Sequence, residues 1–459
     1  MRAALSSCWP LLLGIALMML GNGLQGSLLG VRASLEGFPT AITGLVMSGF
    51  YVGFLFGSFL TPKILINVGH VRVFAALASL ASTATLLHAM VPEPITWGLF
   101  RIVTGFCFAG LFIVCESWLN DVASNETRGQ ILSFYMAIVW VGMAGGQFLL
   151  TTADPGGYNL FIVVSVLVSL ALVPTALTAS PAPNVEEVKN LGLRKLYKVS
   201  PLGVIGVLII GVTHGAFFAM AAVYGGLIGL SLGEISVFIS AVIIGGAIFQ
   251  VPIGRLSDKF DRRRVILFTA IFGAVVSSGI VFLQSPEDRW WFLGAAVLFG
   301  GSCMPIYSLF IAHTNDHLEP DQMVAASSSM ILLNGVGAII GPILVSALMA
   351  EFGVSAYFAS MTVGFIGISL FTLYRMSIKN ATPLEEQGDF VAMPIRSGIV
   401  AATMNPETEE WEEEPEEKEV THPFYISRAS MSILEDFEDE DEEDQDLTDD
   451  GPSLWNRNG

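Results

Sequence analysis

The sequence predicts an all-α membrane protein: twelve transmembrane helices as two pseudo-symmetric six-helix bundles, followed by a disordered acidic C-terminal tail. Three observations carry that expectation. Hydrophobic residues make up 53% of the 459 and charged residues 14%, where a soluble protein carries about 25% charged. The apolar residues gather into twelve runs, each near the ~20 residues that cross a ~30 Å hydrocarbon core as helix. The net charge of −19 is also localised: residues 381–459 hold 24 of the 41 acids and 4 of the 22 bases, leaving 17 acids and 18 bases in the body.

The runs fall at about 10–30, 41–61, 72–91, 95–118, 130–151 and 158–178, then at 202–228, 233–253, 265–284, 290–312, 324–349 and 353–376. Lipid offers the backbone no hydrogen-bond partner, so each run is read as a helix. Barrel strands would be about half as long and would alternate polar with apolar. Leu11 to Leu20 resembles a signal peptide in composition, but eleven further spans favour an uncleaved first helix. Cys107, Cys115 and Cys303 lie inside apolar runs and Cys8 precedes the first, which argues against a disulfide framework.

An even number of spans puts both ends on one side. With that side cytoplasmic, the inner segments collect 15 bases, from Arg2 and Lys63 to Arg375 and Lys379, while the outer loops keep Arg32 and Arg289. The bias orients the chain with both termini inside the cell. The connection Ser180 to Ser200, with Pro181 and Pro183, divides the spans six and six. The expected organisation is an N-terminal bundle at 1–180, a cytoplasmic linker at 181–200, a C-terminal bundle at 201–380 and the tail at 381–459. The halves also look like repeats. Asn120-Asp121 recurs 195 residues later as Asn315-Asp316, and Ser133, Gly142 and Gly146 recur at that offset as Ser328, Gly337 and Gly341. Two parallel halves about a central path follow from that layout. In the tail, Glu407 to Glu419 and Glu435 to Asp450 repel themselves and bury no core. A short ordered patch is expected near His422 to Leu434.

One charged knot interrupts the apolar pattern. Gly254-Arg255-Leu256-Ser257-Asp258-Lys259-Phe260-Asp261-Arg262-Arg263-Arg264-Val265 places five bases in twelve positions between nearly charge-free flanks. Gly254 permits close helix approach, Asp258 can face a helix terminus, and Arg262 to Arg264 can pin the loop to anionic lipid or to that carboxylate. The string resembles, nearly residue for residue, the loop signature of the major facilitator superfamily of transporters. The resemblance implies a conformational latch made by Gly254, Arg255, Asp258, Arg262 and Arg263. A degenerate copy, Gly57-Ser58-Phe59-Leu60-Thr61-Pro62-Lys63 with Gly69-His70-Val71-Arg72, stands in the first half. Pro62 sits roughly where the family has Asp, so the latch there is made otherwise or is weaker. Arg101 four residues before Gly105, and the step Arg128-Gly129 opening the fifth helix, resemble further family patterns, and Arg128 is assigned to the latch. Gly142, Gly145 and Gly146 resemble the antiporter glycine pattern, but Gln147 takes its proline's place. The resemblance spans residues 10 to 380 and assigns no substrate.

The family architecture implies that the first, fourth, seventh and tenth spans line the cavity, which makes Asn22, Gln25, Arg101, His214 and Tyr307 substrate-path candidates, with Glu116 near one mouth. Each has a second reading. Arg101 can be held by carbonyls, His214 can satisfy a neighbouring helix, and Asn22 and Gln25 can be inter-helix bonds worth ~0.6 kcal/mol each. No Asp or Glu lies at the middle of a span, which argues against a strongly cationic substrate and leaves proton coupling to His214 or Glu116. The reading is a transporter of a small neutral polar, weakly anionic or amphipathic solute in the cell inner membrane, working by alternating access without cofactor or metal. The alternative is a transporter-like sensor or scaffold signalling through its acidic tail to a cytoplasmic protein. No nucleic-acid partner is expected, and no metal, nucleophile-elbow or phosphate-loop motif points to an enzyme. Reporter fusions at the Arg262 loop and at the C-terminus should both read cytoplasmic; opposite faces would overturn the topology.

Overall fold

A backbone surrounded by hydrocarbon has to bond to itself, and in the computed structural model all twelve apolar runs are helical. Residues 2–123, 125–176, 191–283, 285–379, 381–393 and 395 are described. The first half comprises α1 (Arg2–Leu35), α2 (Thr40–Val68), α3 (His70–Met90), α4 (Pro94–Val122), α5 (Asn125–Phe148) and α6 (Asn159–Ala176). A short helix, α7 (Leu193–Val199), ends the linker. The second half comprises α8 (Pro201–Leu227), α9 (Leu232–Lys259), α10 (Arg262–Phe282), α11 (Arg289–Cys303), α12 (Pro305–Asn315), α13 (Pro320–Phe352) and α14 (Ala356–Ile378). Both halves use polar caps outside the apolar stretch. The Glu93 carboxylate accepts from Thr96 N–H to start α4, and Ser231 with Glu234 forms a capping box on α9.

The tenth span is broken into α11 and α12 at Met304, because Pro305 has no N–H for the helix ladder. The last carbonyls of α11 are therefore left to other partners. Cys303 is one of them, and His214 of α8 takes it, as described below.

The two halves pack alike. In the first, α1 lies against α5 and α6, α2 against α4, and α3 against α6; in the second, α8 lies against α13 and α14, α9 against α11, and α10 against α14. The repeated glycines explain the match. A Cβ on Gly142 would come within 2.6 Å of Met19 Cβ on α1, and one on Gly146 would meet the Leu20 carbonyl. Their counterparts Gly337 and Gly341 stand against the Leu208 and Val212 carbonyls of α8. Glycines thus bring the same helix pair together twice.

Contacts between the halves gather at the end remote from Arg262. Ser236 Oγ donates to the Gln147 carbonyl at 2.7 Å and Ser240 Oγ to the Ala144 carbonyl at 3.0 Å, tying α9 to α5. Gly44 of α2 abuts Pro342 and Ser346 of α13, and Gly30 of α1 faces Ala222 of α8. Toward the arginine-rich end, α5 and α9 diverge around a groove of about 610 Å³.

The expected tail, mostly disordered, begins with a packed stretch: Phe390, Val391, Ala392 and Ile395 pack against the core and Met393 is buried. Composition explains the difference: residues 390–395 are apolar apart from the backbone, and the acid-rich run begins only at Glu407. The acidic runs and the patch at His422 to Leu434 lie outside the described residues, as do linker residues 181–190.

The α2–α4 pair gives a direct test of glycine packing. A Cβ on Gly53 would run into the Ile102 carbonyl, whereas one on Gly98 of α4 meets nothing within 4 Å. Gly53→Ala should lower stability by about 1–3 kcal/mol, and Gly98→Ala should be neutral or stabilising by up to ~1 kcal/mol. Thermal unfolding in detergent checks this; equal melting temperatures would remove close packing as the reason for glycine at position 53.

Candidate functional site

Midway along the spans, a narrow cavity with about 30 Å³ of free volume lies between the halves, lined by α2, α8 and α13. Gly49, Gly53 and Gly57 press one face of α2 onto α4. The neighbouring face, one residue further along, turns Phe50, Phe54 and Ser58 to the cavity together with Tyr51 and Leu55. From α8 come His214 and Phe218; from α13 come Leu332, Asn334 and Gly335. The described lining contains no Asp, Glu, Lys or Arg. The Ser58 hydroxyl donates to its own helix at Phe54 O, 2.9 Å away, which leaves His214 and Asn334 as the main polar pair on the opposite wall.

His214 is held at both nitrogens. Nε2 lies 3.0 Å from the Cys303 carbonyl and Nδ1 lies 3.4 Å from Asn334 Oδ1. A carbonyl only accepts, so Nε2 carries the proton in that contact, and Nδ1 then accepts from Asn334 once its amide is turned to present the NH₂. Tyr307 of α12 stands behind the ring, edge-on at 6.1 Å between centroids, fully buried and with its hydroxyl making no hydrogen bond. The ring is therefore fixed by the span break, by Asn334 and by an aromatic edge.

The other candidates are placed elsewhere. The Arg101 guanidinium stacks 4.5 Å over the Phe50 ring, so its charge sits behind a cavity wall as a cation–π contact. Gln25 donates to Thr85 Oγ1 at 2.9 Å, joining α1 to α3, and Asn22 is buried on α1 with its NH₂ unbonded. Glu116, fully buried on α4, accepts from the Tyr135 hydroxyl of α5 at 2.8 Å. Of the six, His214 lines the cavity, Arg101 and Tyr307 back lining residues, and Asn22, Gln25 and Glu116 do not line it. The α2 face was missed because Phe, Leu and Ser also compose lipid-facing helix. The signal that would have found it is the four-residue glycine period, which fixes how α2 is rotated.

At the arginine-rich end, Arg262 is almost completely buried. Its guanidinium pairs with Asp316 at 2.8 Å and Asp258 at 3.6 Å, and donates to the Gly388 carbonyl. Arg263 is chelated by Asp261, which also caps α10, and donates to the Lys379 carbonyl. Arg255 lines the open groove. Gly254 is filled from outside by the Phe390 ring, and Asp258 accepts from the Phe390 N–H at 2.9 Å. In the first half, Gly69 turns the α2–α3 corner at φ +87°, a conformation glycine adopts freely. Gly57 closes α2 on α4, Arg128 is buried at the start of α5, and His70 meets Ser117 Oγ at 3.1 Å and packs on Trp118. An imidazole packed on an indole thus occupies the first half's corner where the second half uses a charged knot. Beside α8, Arg263, Arg375 and Lys379 crowd His317, whose pKa is lowered by burial and then by the nearby Lys379 and Arg263 charges.

The Major Facilitator Superfamily model matches residues 11–342. The chain belongs to that superfamily. Among its superfamily relatives, the uncharacterized MFS-type transporter YcaD of Escherichia fergusonii is 27% identical over 348 residues, covering 74% of this chain and 88% of the relative. The uncharacterized MFS-type transporter Ent638_1421 of Enterobacter sp. (strain 638) is 24% identical over 379 residues, covering 82% and 97%. Among solved superfamily structures, the nucleoside transporter NupG superposes with a TM-score of 0.64 at 14% identity, over 83% of this chain and 100% of that one. A bacterial homologue of the human lysosomal transporter Spinster, inward-facing and unoccupied, gives 0.63 at 13% identity, over 82% and 95%. Both share the fold: twelve membrane-spanning helices of a multi-pass transporter.

Arg262 supplies the stability test. Asp316→Asn leaves a buried guanidinium without its closest carboxylate and should destabilise by about 3–5 kcal/mol. Asp261→Asn, at the more exposed pair, should have a smaller effect. Melting temperatures of the two variants check the order, and equal losses would mean that burial of Arg262 does not govern this corner.

Proposed function

We propose that this chain carries a small, neutral, amphipathic solute across the bilayer by alternating access, and that the arginine-rich end faces the cytoplasm. The absence of ionised groups from the described cavity lining is the observation that supports the solute class. A charged solute would forfeit its hydration without gaining a counter-charge. A flat solute with an apolar face and a few polar atoms meets Phe50 and Phe54 on one side and His214, Phe218 and Asn334 on the other. This narrows the sequence-based expectation, in which Arg101 suggested a weakly anionic cargo; Arg101 is screened by Phe50. Nucleosides, the cargo named for one solved neighbour, have this chemistry and make a reasonable first probe set.

The sidedness rests on the excess of Lys and Arg at one end. The state is then cytoplasm-facing, with the halves joined at the outer end through Ser236, Ser240, Gly44 and Gly30. His214 is the lining group best suited to a proton or a polar ligand atom, since an imidazole both donates and accepts and can trade its long Asn334 contact for the ligand.

A ligand-stabilisation screen on purified protein, followed by flux into proteoliposomes, tests the proposal. A true ligand at about 100 times its Kd adds about 2.7 kcal/mol of stability. Neutral heteroaromatic solutes should stabilise, and His214→Ala and Phe218→Ala should each weaken that binding by roughly tenfold, equivalent to about 1.4 kcal/mol. Stabilisation by strongly charged solutes alone would overturn the assignment.

A further inference from the structure

Residues 387–393 and 395 run back from the last span along the groove at the arginine-rich end, and their contacts are those of a bound peptide. The Gly388 carbonyl accepts from Arg262, and the Phe390 N–H donates to Asp258 Oδ1 at 2.9 Å. Ser308 of α12 serves both polar atoms of Met393, accepting from its N–H at 3.1 Å and donating to its carbonyl at 3.3 Å. The Phe390 ring fills the space left by the missing side chain of Gly254. Met393 is 2% exposed, and Ile395 reaches the central cavity, where it lies in the lining with Ser58 and His214. Asp389 lines the groove beside Arg255 and Asp258, so it meets one opposite and one like charge there.

Ordering a backbone residue costs about 1–2 kcal/mol, so a segment of this length without specific contacts would stay solvated. Here side chains from α9, α10 and α12 bond its backbone, while its apolar side chains enter gaps. Backbone bonds with pockets for selected side chains are how extended peptides are recognised. Tethering to α14 raises the effective concentration of the segment to the millimolar range, so modest contacts are enough to seat it.

We propose that the cleft at the arginine-rich end is a peptide site, that its ligand is the chain's own segment 387–395, and that the seated segment closes the central cavity on that side. The signature residues Gly254, Asp258 and Arg262 are then the receptor for the strap as well as part of the loop. Docking itself does not depend on the transport reading; only its effect on flux rests on it.

The test uses the full-length chain. In Ser308→Cys with Met393→Cys, mild oxidation should join the two positions, and failure to do so would overturn docking. In a separate Ser58→Cys protein, labelling by a membrane-impermeant maleimide reports access to the cavity. Phe390→Asp should speed that labelling by roughly tenfold, because access scales with the undocked fraction. Gly254→Leu, which fills the Phe390 seat from the other wall, should do the same. Unchanged labelling in both variants would overturn closure. Flux in the oxidised pair should fall and return on reduction. If the bridge forms and labelling responds while no solute moves in any state, the strap stands and the transport reading fails.

Discussion

Helices in a bilayer gain little by hiding apolar surface from one another, since lipid is as apolar as their neighbours. Association in this chain rests instead on close backbone approach at glycine. Gly49, Gly53 and Gly57 set α2 on α4, Gly142 and Gly146 set α5 on α1, and Gly337 and Gly341 set α13 on α8. These contacts fix each helix in rotation as well as position. The cavity lining is a consequence of that rotation: once the glycine face of α2 is spoken for, Phe50, Phe54 and Ser58 have one direction left.

Much of the fold was legible in the sequence, because its signals are long-range in the chain and physically forced. Twenty apolar residues have one stable conformation in lipid, and glycines recurring at a fixed offset imply a repeated packing. The cavity was less legible. Which of many Phe, Leu and Ser residues faces inward depends on helix rotation, and composition is silent on that. Arg101 and Glu116 drew attention as intramembrane charges, yet each is absorbed locally, by the Phe50 ring and by the Tyr135 hydroxyl. The strap was missed for a different reason: averaging over the tail let 24 acids mask a short apolar stretch near its start.

The two corners show how one repeat tolerates different chemistry. In the second half, a buried guanidinium needs Asp316, Asp258 and a carbonyl to offset its lost hydration. In the first, Gly69 makes the turn and His70 packs beside it with Ser117 and Trp118. The second corner sets the Asp258 carboxylate beside the Gly254 notch, and the Phe390 N–H and ring of the strap seat on that pair.

Among the described residues, the partners of Arg262 and Arg263 belong to the second half or its trailing segment, so rocking one half against the other need not separate those ions. The bonds that such a motion must break lie at the opposite pole, where serine hydroxyls meet neutral carbonyls. Bonds of that kind contribute about 1 kcal/mol each. Parting the far rim is therefore a shallow climb on the energy surface, within reach of a bound solute's preference for one shape over the other.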